Sequence, residues 1–144
     1  MANKKSTEVL VVGGAGYIGS HMCKYLHEKG IVPIVLDNLS LGHAGAVQWG
    51  PLYTGDMHDV PLLEEIFTTN SIAAVMHFAA FCYVGESVQN PMKYYRNNIA
   101  SALVLLEQMK NFGVDKLIFS SSCATYGEPE RLPLTEDHPQ RPIN

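Results

Sequence analysis

A glycine-rich turn between an apolar run and a helical pattern constrains this chain more than any other feature. Gly13–Gly19 follows the aliphatic run Val9–Val12 and precedes apolar residues at helical spacing. Within it, Gly14, Gly16 and Gly19 give the spacing Gly-x-Gly-x-x-Gly. Such glycines allow a tight turn and let backbone N–H groups approach a pyrophosphate at the positive end of the helix. The segment predicts a dinucleotide-binding turn, and the alternative is a plain strand-to-helix turn.

An acidic residue lies where a ribose contact is expected. Asp37 directly follows the second predicted strand, roughly 20 residues after Gly19. A carboxylate at this position accepts hydrogen bonds from a ribose diol and repels a 2′-phosphate. We therefore expect NAD, and not NADP, as the cofactor.

Strands and helices alternate along the chain. The predicted strands are Val9–Val12, Ile31–Leu36, Leu52–Thr54, Ala73–Phe78 and Lys116–Phe119, and the predicted helices are Tyr17–Lys29, Val60–Phe67 and Pro91–Phe112. Pro33 cannot donate to a neighbouring strand, which weakens the pairing prediction for the second strand. The long helix carries an apolar stripe that is expected to face the core, formed by Tyr95, Ile99, Leu103, Leu106 and Met109. This order predicts an α/β fold with a doubly wound parallel sheet, in one domain over residues 1–144.

Composition and motif spacing exclude several functional classes. The 144 residues carry 10 Lys+Arg and 14 Asp+Glu, without a run of like charge, which argues against nucleic acid or an anionic membrane as partner. The start Met1–Lys5 leads into too short an apolar run for a signal peptide, and Ile72–Val84 is too short for a membrane helix. The three cysteines and six histidines lack disulfide or metal spacing, so no metal site is predicted. We expect a cytoplasmic protein that binds small molecules.

Polar residues near three strand ends have two interpretations each. Ser120–Ser122 follow the fifth strand, where their hydroxyls either polarise a sugar or carbonyl oxygen or satisfy their own backbone. Asp56 either caps the next helix, the favoured interpretation, or approaches the adenine ring. His77 lies in an apolar strand and is predicted to be a core histidine rather than a catalyst.

An ordered series of motifs resembles the UDP-glucose 4-epimerase family, which belongs to the extended short-chain dehydrogenases. The motifs are Val12–His21, Leu36–Leu39, Gly55–Asp56, His77–Ala80, Val84–Val88, Tyr94–Asn98 and Phe119–Ser122. The resemblance covers the chain from Glu8 onward. It implies a Rossmann-type domain and tightly held NAD, which takes a hydride from C4 of a UDP-hexose and returns it to the other face of the 4-keto sugar. It also makes a homodimer the expected assembly.

The resemblance also implies roles for individual residues. Gly13, Gly16, Tyr17, Ile18 and Gly19 would meet the pyrophosphate, Asp37 and Asn38 the adenosine ribose, Asp56 and Met57 the adenine, Phe78 and Ala79 the nicotinamide side, and Asn97 would help to position the cofactor. Ser122 matches the serine that hydrogen-bonds the 4-oxygen of the sugar. Cys82 stands where many members carry a lysine that contacts the cofactor.

The general base of the resembled family is missing from this sequence. That base is the tyrosine of a Tyr-x-x-x-Lys motif, whose lysine lowers the phenol pKa. The motif normally follows the fifth strand, and the sequence that follows Phe119 here does not contain it. Tyr25–Lys29 has the spacing, but it lies on the first helix and is interpreted as a chance match. We expect a domain truncated before the substrate domain and inactive by itself.

Other functions remain open at this stage. A dehydratase or decarboxylase of the same superfamily typically has an Asp-Glu pair after the serine, where this chain has Cys123–Ala124, and this difference favours an epimerase. An epimerase acting on a UDP-pentose or a UDP-N-acetylhexosamine is a further alternative. A non-catalytic, truncated NAD-binding module is another.

Overall fold

The computed structural model of the chain describes residues 6–143. Within them, the strands are β1 (Glu8–Val12), β2 (Val32–Asp37), β3 (Leu52–Thr54), β4 (Ile72–His77) and β5 (Leu117–Phe119). The α-helices in the same range are α1 (Tyr17–Glu28), α2 (Val60–Thr69), α3 (Val84–Gln89), α4 (Pro91–Tyr94) and α5 (Ser101–Asn111). A π-helical segment, Tyr95–Ala100, joins α4 to α5, and Ala44–Ala46 and Cys123–Tyr126 form short 3-10 helices. The arguments about Met1–Lys5 and the outer limits of the predicted domain 1–144 lie outside the described residues.

The strands form one parallel sheet in the order β3-β2-β1-β4-β5. The chain moves outward from β1 to β2 and β3, and then returns through α2 to β4 on the other side of β1. The predicted α/β class and doubly wound parallel sheet are confirmed. The strand order reverses between β1 and β4, and such switch points are where open α/β sheets bind ligands at the carboxyl ends of their strands.

Both faces of the sheet are covered by helices. In β1, Leu10 and Val12 pack in a core cluster with residues of α2 and α5, whereas Val9 and Val11 pack on the opposite face with Cys23 of α1. Alternate residues of a strand point to opposite faces, so a strand buried on both sides is apolar throughout. This explains the uninterrupted aliphatic run of β1.

Pro33 is accommodated inside β2 although it cannot donate a hydrogen bond. The Val32 N–H donates toward β1, to Thr7 O, and the Val35 N–H donates toward β3, to Pro51 O. Backbone groups alternate between the two neighbours along a strand. Position 33 therefore faces the β3 side, where pairing begins only at Val35. Proline at position 33 therefore costs no hydrogen bond to β3. The expected weakening of the β2 pairing is not observed.

The long predicted helix Pro91–Phe112 differs from expectation in two ways. Its middle part is π-helical, and the Ser101 hydroxyl donates to Arg96 O across the widened turn. The predicted core stripe was wrong for four of its five members, which are 43–58% exposed: Tyr95, Ile99, Leu103 and Leu106. The helix is apolar on two sides, and it packs on the sheet through the side that carries Leu105 and Met109.

Within residues 6–143, no helix is both long and apolar enough to cross a membrane.

Candidate functional site

A cavity of about 400 Å³ lies at the carboxyl ends of β1, β2 and β4. Five separate segments line it: the glycine turn, the loop after β2, Gly55–Met57 after β3, Phe78–Cys82 after β4, and Asn97 of the π-helical segment. The structure brings all the predicted cofactor-contacting residues together around this cavity, namely Gly13, Gly16, Tyr17, Ile18, Gly19, Asp37, Asn38, Asp56, Met57, Phe78, Ala79 and Asn97.

The glycine turn is compact because Gly13 and Gly19 have no room for a side chain against neighbouring backbone atoms. Gly13 has φ +81°, and a Cβ there would lie 2.7 Å from the Ala79 nitrogen. A Cβ on Gly19 would lie 2.1 Å from the Gly13 carbonyl oxygen. The turn ends at Gly16, the N-cap of α1, where no side chain accepts from the first helical N–H groups. Those N–H groups and the helix dipole favour an anion such as a pyrophosphate.

The Asp37 carboxylate joins β2 to the glycine turn. Its Oδ2 accepts from the Ala15 N–H at 2.9 Å, and its Oδ1 accepts from the Leu39 N–H at 2.8 Å. The residue is 9% exposed and lines the cavity. A carboxylate has about four lone-pair sites, so capacity remains for the hydroxyls of a ribose.

Asn38 and Asp56 are joined across two loops. The Asn38 Nδ2 donates to Asp56 Oδ1 at 2.6 Å, while the Asn38 Oδ1 accepts from the Ser40 N–H. The interpretation of Asp56 as a helix cap was wrong. Asp59, which directly precedes α2, caps that helix by accepting from the Leu62 N–H. Asp56 lies three residues further from α2 and lines the cavity instead.

Part of the cavity wall was not predicted from the sequence. Ser40–Gly42, Ala80 and Phe81 also line it. The first of these segments folds onto the glycine turn, where the His43 N–H donates to Ala15 O and a Cβ on Gly42 would lie 2.9 Å from the Ala15 Cβ. Gly42 is a sequence signal for this close approach, because a larger residue would not fit there, but the sequence prediction treated it only as a loop residue.

Ser122 lies near the cavity's edge of the sheet but outside its lining. It follows β5, is exposed, and its Oγ accepts from the Ala124 N–H at 3.2 Å. The polar-loop interpretation of Ser120–Ser122 therefore describes one contact of the Ser122 hydroxyl. Its proton has no acceptor within residues 6–143. The Ser120 N–H donates to His77 O, which ties this loop to the end of β4.

His77 is a core histidine, as predicted. It is 4% exposed, and its ring meets the ring of Phe119 edge-on at 5.4 Å. Burial lowers the pKa of His77, which keeps the ring neutral. Among residues 6–143, no three His, Cys, Asp or Glu side chains lie close enough together to hold a metal ion.

A polar cluster next to the cavity holds α3 against α4. Lys93 and Tyr94 both donate to the Glu86 carboxylate, and the Lys93 ammonium lies 4.5 Å from the centre of the Phe81 ring. The bond from Lys93 lowers the pKa of Glu86. Desolvation and the Glu86 carboxylate raise the pKa of Tyr94 to about 12. A phenol with this pKa is protonated near neutral pH and cannot serve as a general base there.

The residues around the cavity fit a dinucleotide. The turn offers uncapped N–H groups, and its glycines keep the backbone accessible. Asp37 retains acceptor capacity, and a wall of Phe78–Cys82 provides a mainly apolar surface on the opposite side. Donors for an anion, acceptors for hydroxyls and a surface for a flat ring are thus combined in one concave site.

Comparisons with known proteins agree with this arrangement. Residues 9–144 match the NAD dependent epimerase/dehydratase family. The chain is 51% identical over 136 residues to the UDP-glucose 4-epimerase of Rhizobium leguminosarum bv. trifolii, covering 94% of this chain and 42% of that protein. It is 49% identical over 148 residues to UDP-arabinose 4-epimerase 1 of Arabidopsis thaliana, covering 96% of this chain and 35% of that protein.

A solved structure gives the same result for the fold. The crystal structure of UDP-glucose 4-epimerase from Brucella ovis in complex with NAD matches with a TM-score of 0.88 at 52% identity, covering 96% of this chain and 43% of that one. The chain thus spans less than half the length of these relatives.

Proposed function

Because this chain belongs to the NAD dependent epimerase/dehydratase family, whose cofactor is NAD, we propose that it is the NAD-binding part of a UDP-glucose 4-epimerase. The reaction interconverts UDP-glucose and UDP-galactose through a transient 4-keto sugar. The observation that carries the proposal is the cavity at the β1–β4 switch point, where five separate segments bring the predicted cofactor residues together.

Under this proposal, different residues of the chain bind different parts of NAD. Bound NAD supplies a hydride acceptor that later serves as the hydride donor. The backbone N–H groups at the start of α1 hold the pyrophosphate, and Asp37 accepts from the adenosine ribose. Met57, buried beside Asp56, forms the adenine side. Phe78 and Ala79 exclude water on the nicotinamide side.

Two further roles belong to the same proposal. Ser122 is the proposed catalytic residue of this chain, and its hydroxyl donates a hydrogen bond to the 4-oxygen of the sugar while the serine keeps its proton. Asn97 lines the cavity and helps to position the cofactor.

The hydride step also needs a general base. Tyr94 is unsuited to that role because its pKa is about 12. Tyr25 lies on α1, which packs on β1 and β2, and β4 lies between β1 and β5 in the sheet.

The 144 residues by themselves are proposed to bind NAD without turnover. Positioned acid–base catalysis contributes about 10²- to 10⁴-fold in rate, and no Tyr-x-x-x-Lys motif follows β5 in these 144 residues. The purified chain should therefore bind NAD in a calorimetric titration and leave UDP-galactose unconverted. Native-like epimerisation by this chain would refute the proposed inactivity. Failure to bind NAD would refute the proposal that the chain is an NAD-binding domain.

Two exposed cysteines allow the NAD site to be located. Cys82 lines the cavity, whereas Cys123 follows Ser122 outside the lining. Saturating NAD should slow alkylation of Cys82 by iodoacetamide and leave the rate at Cys123 unchanged, as followed by peptide mass spectrometry. The buried Cys23 is an internal control, since burial raises its pKa to about 11 and keeps it an unreactive thiol at pH 8. Equal rates at Cys82 with and without NAD would argue for a different site.

The proposed sugar rests on the relatives, and the proposed reaction rests on the relatives and on one sequence difference. The epimerase reaction is supported by the similarity to UDP-glucose 4-epimerase at 51% identity and by Cys123–Ala124 in place of the acidic pair of dehydratases. A UDP-pentose is the second candidate, because the UDP-arabinose 4-epimerase is nearly as similar, at 49% identity.

The proposed assembly is a homodimer and the proposed location is the cytoplasm. The dimer is supported by the exposed helical stripe, which we define as Tyr95, Ile99, Leu103 and Leu106. Exposed apolar patches on one helix face favour association with a matching surface. The location is supported by Cys82 and Cys123, whose exposed free thiols suit a reducing compartment.

A further inference from the structure

The loop that follows β4 is fixed by one side chain of the π-helical segment. The Phe81 N–H donates to Asn98 Oδ1 at 2.9 Å, and the Asn98 Nδ2 donates to Phe81 O at 2.9 Å. A backbone N–H can only donate and a backbone carbonyl can only accept. The two bonds to Phe81 therefore determine which end of the Asn98 amide is oxygen and which is nitrogen.

The orientation of the Asn98 amide determines that of the neighbouring Asn97 amide. The Asn97 Nδ2 donates to Asn98 Oδ1 at 2.9 Å. Because that oxygen can only accept, the group of Asn97 that faces it must be the NH2 group. The carbonyl oxygen of Asn97 is then directed elsewhere, and it has no hydrogen-bond partner within residues 6–143.

The π-helical geometry allows these neighbours to act together. Consecutive residues of an α-helix do not face each other, yet the side chains of Asn97 and Asn98 are in contact. Asn97 lines the cavity, and Asn98 bonds to Phe81, which also lines it. The widened turn, marked by the bond from Ser101 to Arg96 O, lies in this segment. Single π turns inside helices often occur at functional sites.

We propose that Asn98 is a positioning residue that orients the Asn97 amide so that its carbonyl oxygen accepts a hydrogen bond from bound NAD. This rests on the proposed function, since it requires NAD in the cavity that Asn97 lines. The group recognised must be a donor of NAD, such as a ribose hydroxyl or an amide N–H. Phosphate oxygens only accept, so the pyrophosphate is not the partner of this oxygen.

A double-mutant cycle on NAD affinity separates positioning from a purely structural role. Asn97→Ala should weaken NAD binding by about tenfold, the value of one hydrogen bond. Asn98→Ala should cause a similar loss when Asn97 is present and less than about a twofold loss in the Asn97→Ala background. Equal losses in the two backgrounds would overturn the proposal, because Asn98 would then act through the shape of the loop alone.

Two more variants keep the test decisive. Asn98→Asp retains the oxygen that accepts from the Asn97 NH2 group but sets a second oxygen against Phe81 O, so it should lower the melting temperature, while Asn97→Ala should still cost about tenfold in NAD affinity in its background. A loss of less than about twofold for Asn97→Ala in the folded Asn98→Asp background would contradict the proposal even if Asn98→Ala did not fold. Asn90→Ala removes the cap of α4 outside the cavity, and it should lower the melting temperature without changing NAD affinity. If the wild type itself fails to bind NAD, the proposed function fails, and not only this inference.

Discussion

At the scale of single residues, Asp37 has a structural role in the chain and a selective role in the proposed function. Its two oxygens accept from the Ala15 and Leu39 N–H groups, which shape the turn and the next loop around the cavity. In the proposed NAD complex, the same carboxylate would place a negative charge where a 2′-phosphate would lie. Under that proposal, the shape of the turn and the cofactor preference depend on one side chain.

Asp37→Asn should narrow the preference for NAD over NADP by about tenfold, because the charge that repels the 2′-phosphate is removed. It should also lower the free energy of unfolding by about 1–3 kcal/mol, since an NH2 group then faces a backbone N–H. Calorimetric titration with both cofactors and urea denaturation measure these effects. Asp59→Asn, at the cap of α2, is the matched control, and its cofactor preference should be unaltered.

Gly19→Ala should abolish detectable NAD binding, because its Cβ would lie 2.1 Å from the Gly13 oxygen and the turn would have to shift. Gly85→Ala, in α3, is the matched helical control. A Cβ there meets nothing within 4 Å, so this change should stabilise the chain by about 0.5–1 kcal/mol and leave NAD binding unchanged. Calorimetry and thermal unfolding test both variants. Full NAD affinity in Gly19→Ala would show that the turn tolerates a methyl group.

At the scale of elements, the end of β4 is sensitive to pH through His77. Because burial lowers the pKa of His77 below its ordinary value of 6.5, the unfolded chain binds a proton that the folded chain excludes. This opposes folding as the pH falls below about 6.5 and has no effect well above it.

His77→Phe should therefore make the free energy of unfolding less dependent on pH between 7.5 and 5.5 than in the wild type. Phenylalanine keeps the ring contact with Phe119 and has no group to protonate. Urea denaturation at several pH values measures the slope. His43→Gln, an exposed position, should retain the wild-type slope. Parallel pH profiles for His77→Phe and the wild type would contradict the assignment.

The five strands and their order along the chain could be predicted from the sequence because each strand is an apolar run that ends at glycine or a polar residue, whereas the short helix α3 was not predicted. The π-helical segment could not be predicted, since Tyr95–Ala100 has the same apolar spacing as an α-helix. The prediction that Tyr95, Ile99, Leu103 and Leu106 face the core failed for a related reason. A helix with two apolar sides does not reveal which side the sheet covers, and that choice depends on contacts of Leu105 and Met109 with residues distant in sequence.

At the scale of the whole molecule, the exposed helical stripe determines the expected assembly. Leu103→Glu should convert a dimer to a monomer in sedimentation equilibrium, because it places a charge in the centre of the apolar face. Leu132→Glu changes a leucine outside the stripe that is more exposed than Leu103, and it should leave the mass unchanged. A monomeric wild type would refute the proposed homodimer.

Most of the site could be predicted because its residues follow the ends of strands, where a parallel sheet collects them at one edge. The residues that were missed, such as Ser40–Gly42 and Phe81, belong to loops whose positions are set by long-range bonds. The correction at Asp56 has a different origin. The predicted helix already began at Val60, which makes Asp59 and not Asp56 the residue at its N-cap position, so the sequence itself favoured Asp59 as the cap.

Because the cavity is assembled from five segments spread between Val12 and Asn97, occupancy is a cooperative property of the chain. A local opening that releases any one of these segments also releases the ligand. Each tenfold rise in free ligand above its dissociation constant then adds about 1.4 kcal/mol to the cost of every such opening. Amide hydrogens in all five segments should slow their exchange with solvent in step, although they are far apart in sequence, so the ligand acts as a non-covalent crosslink among them.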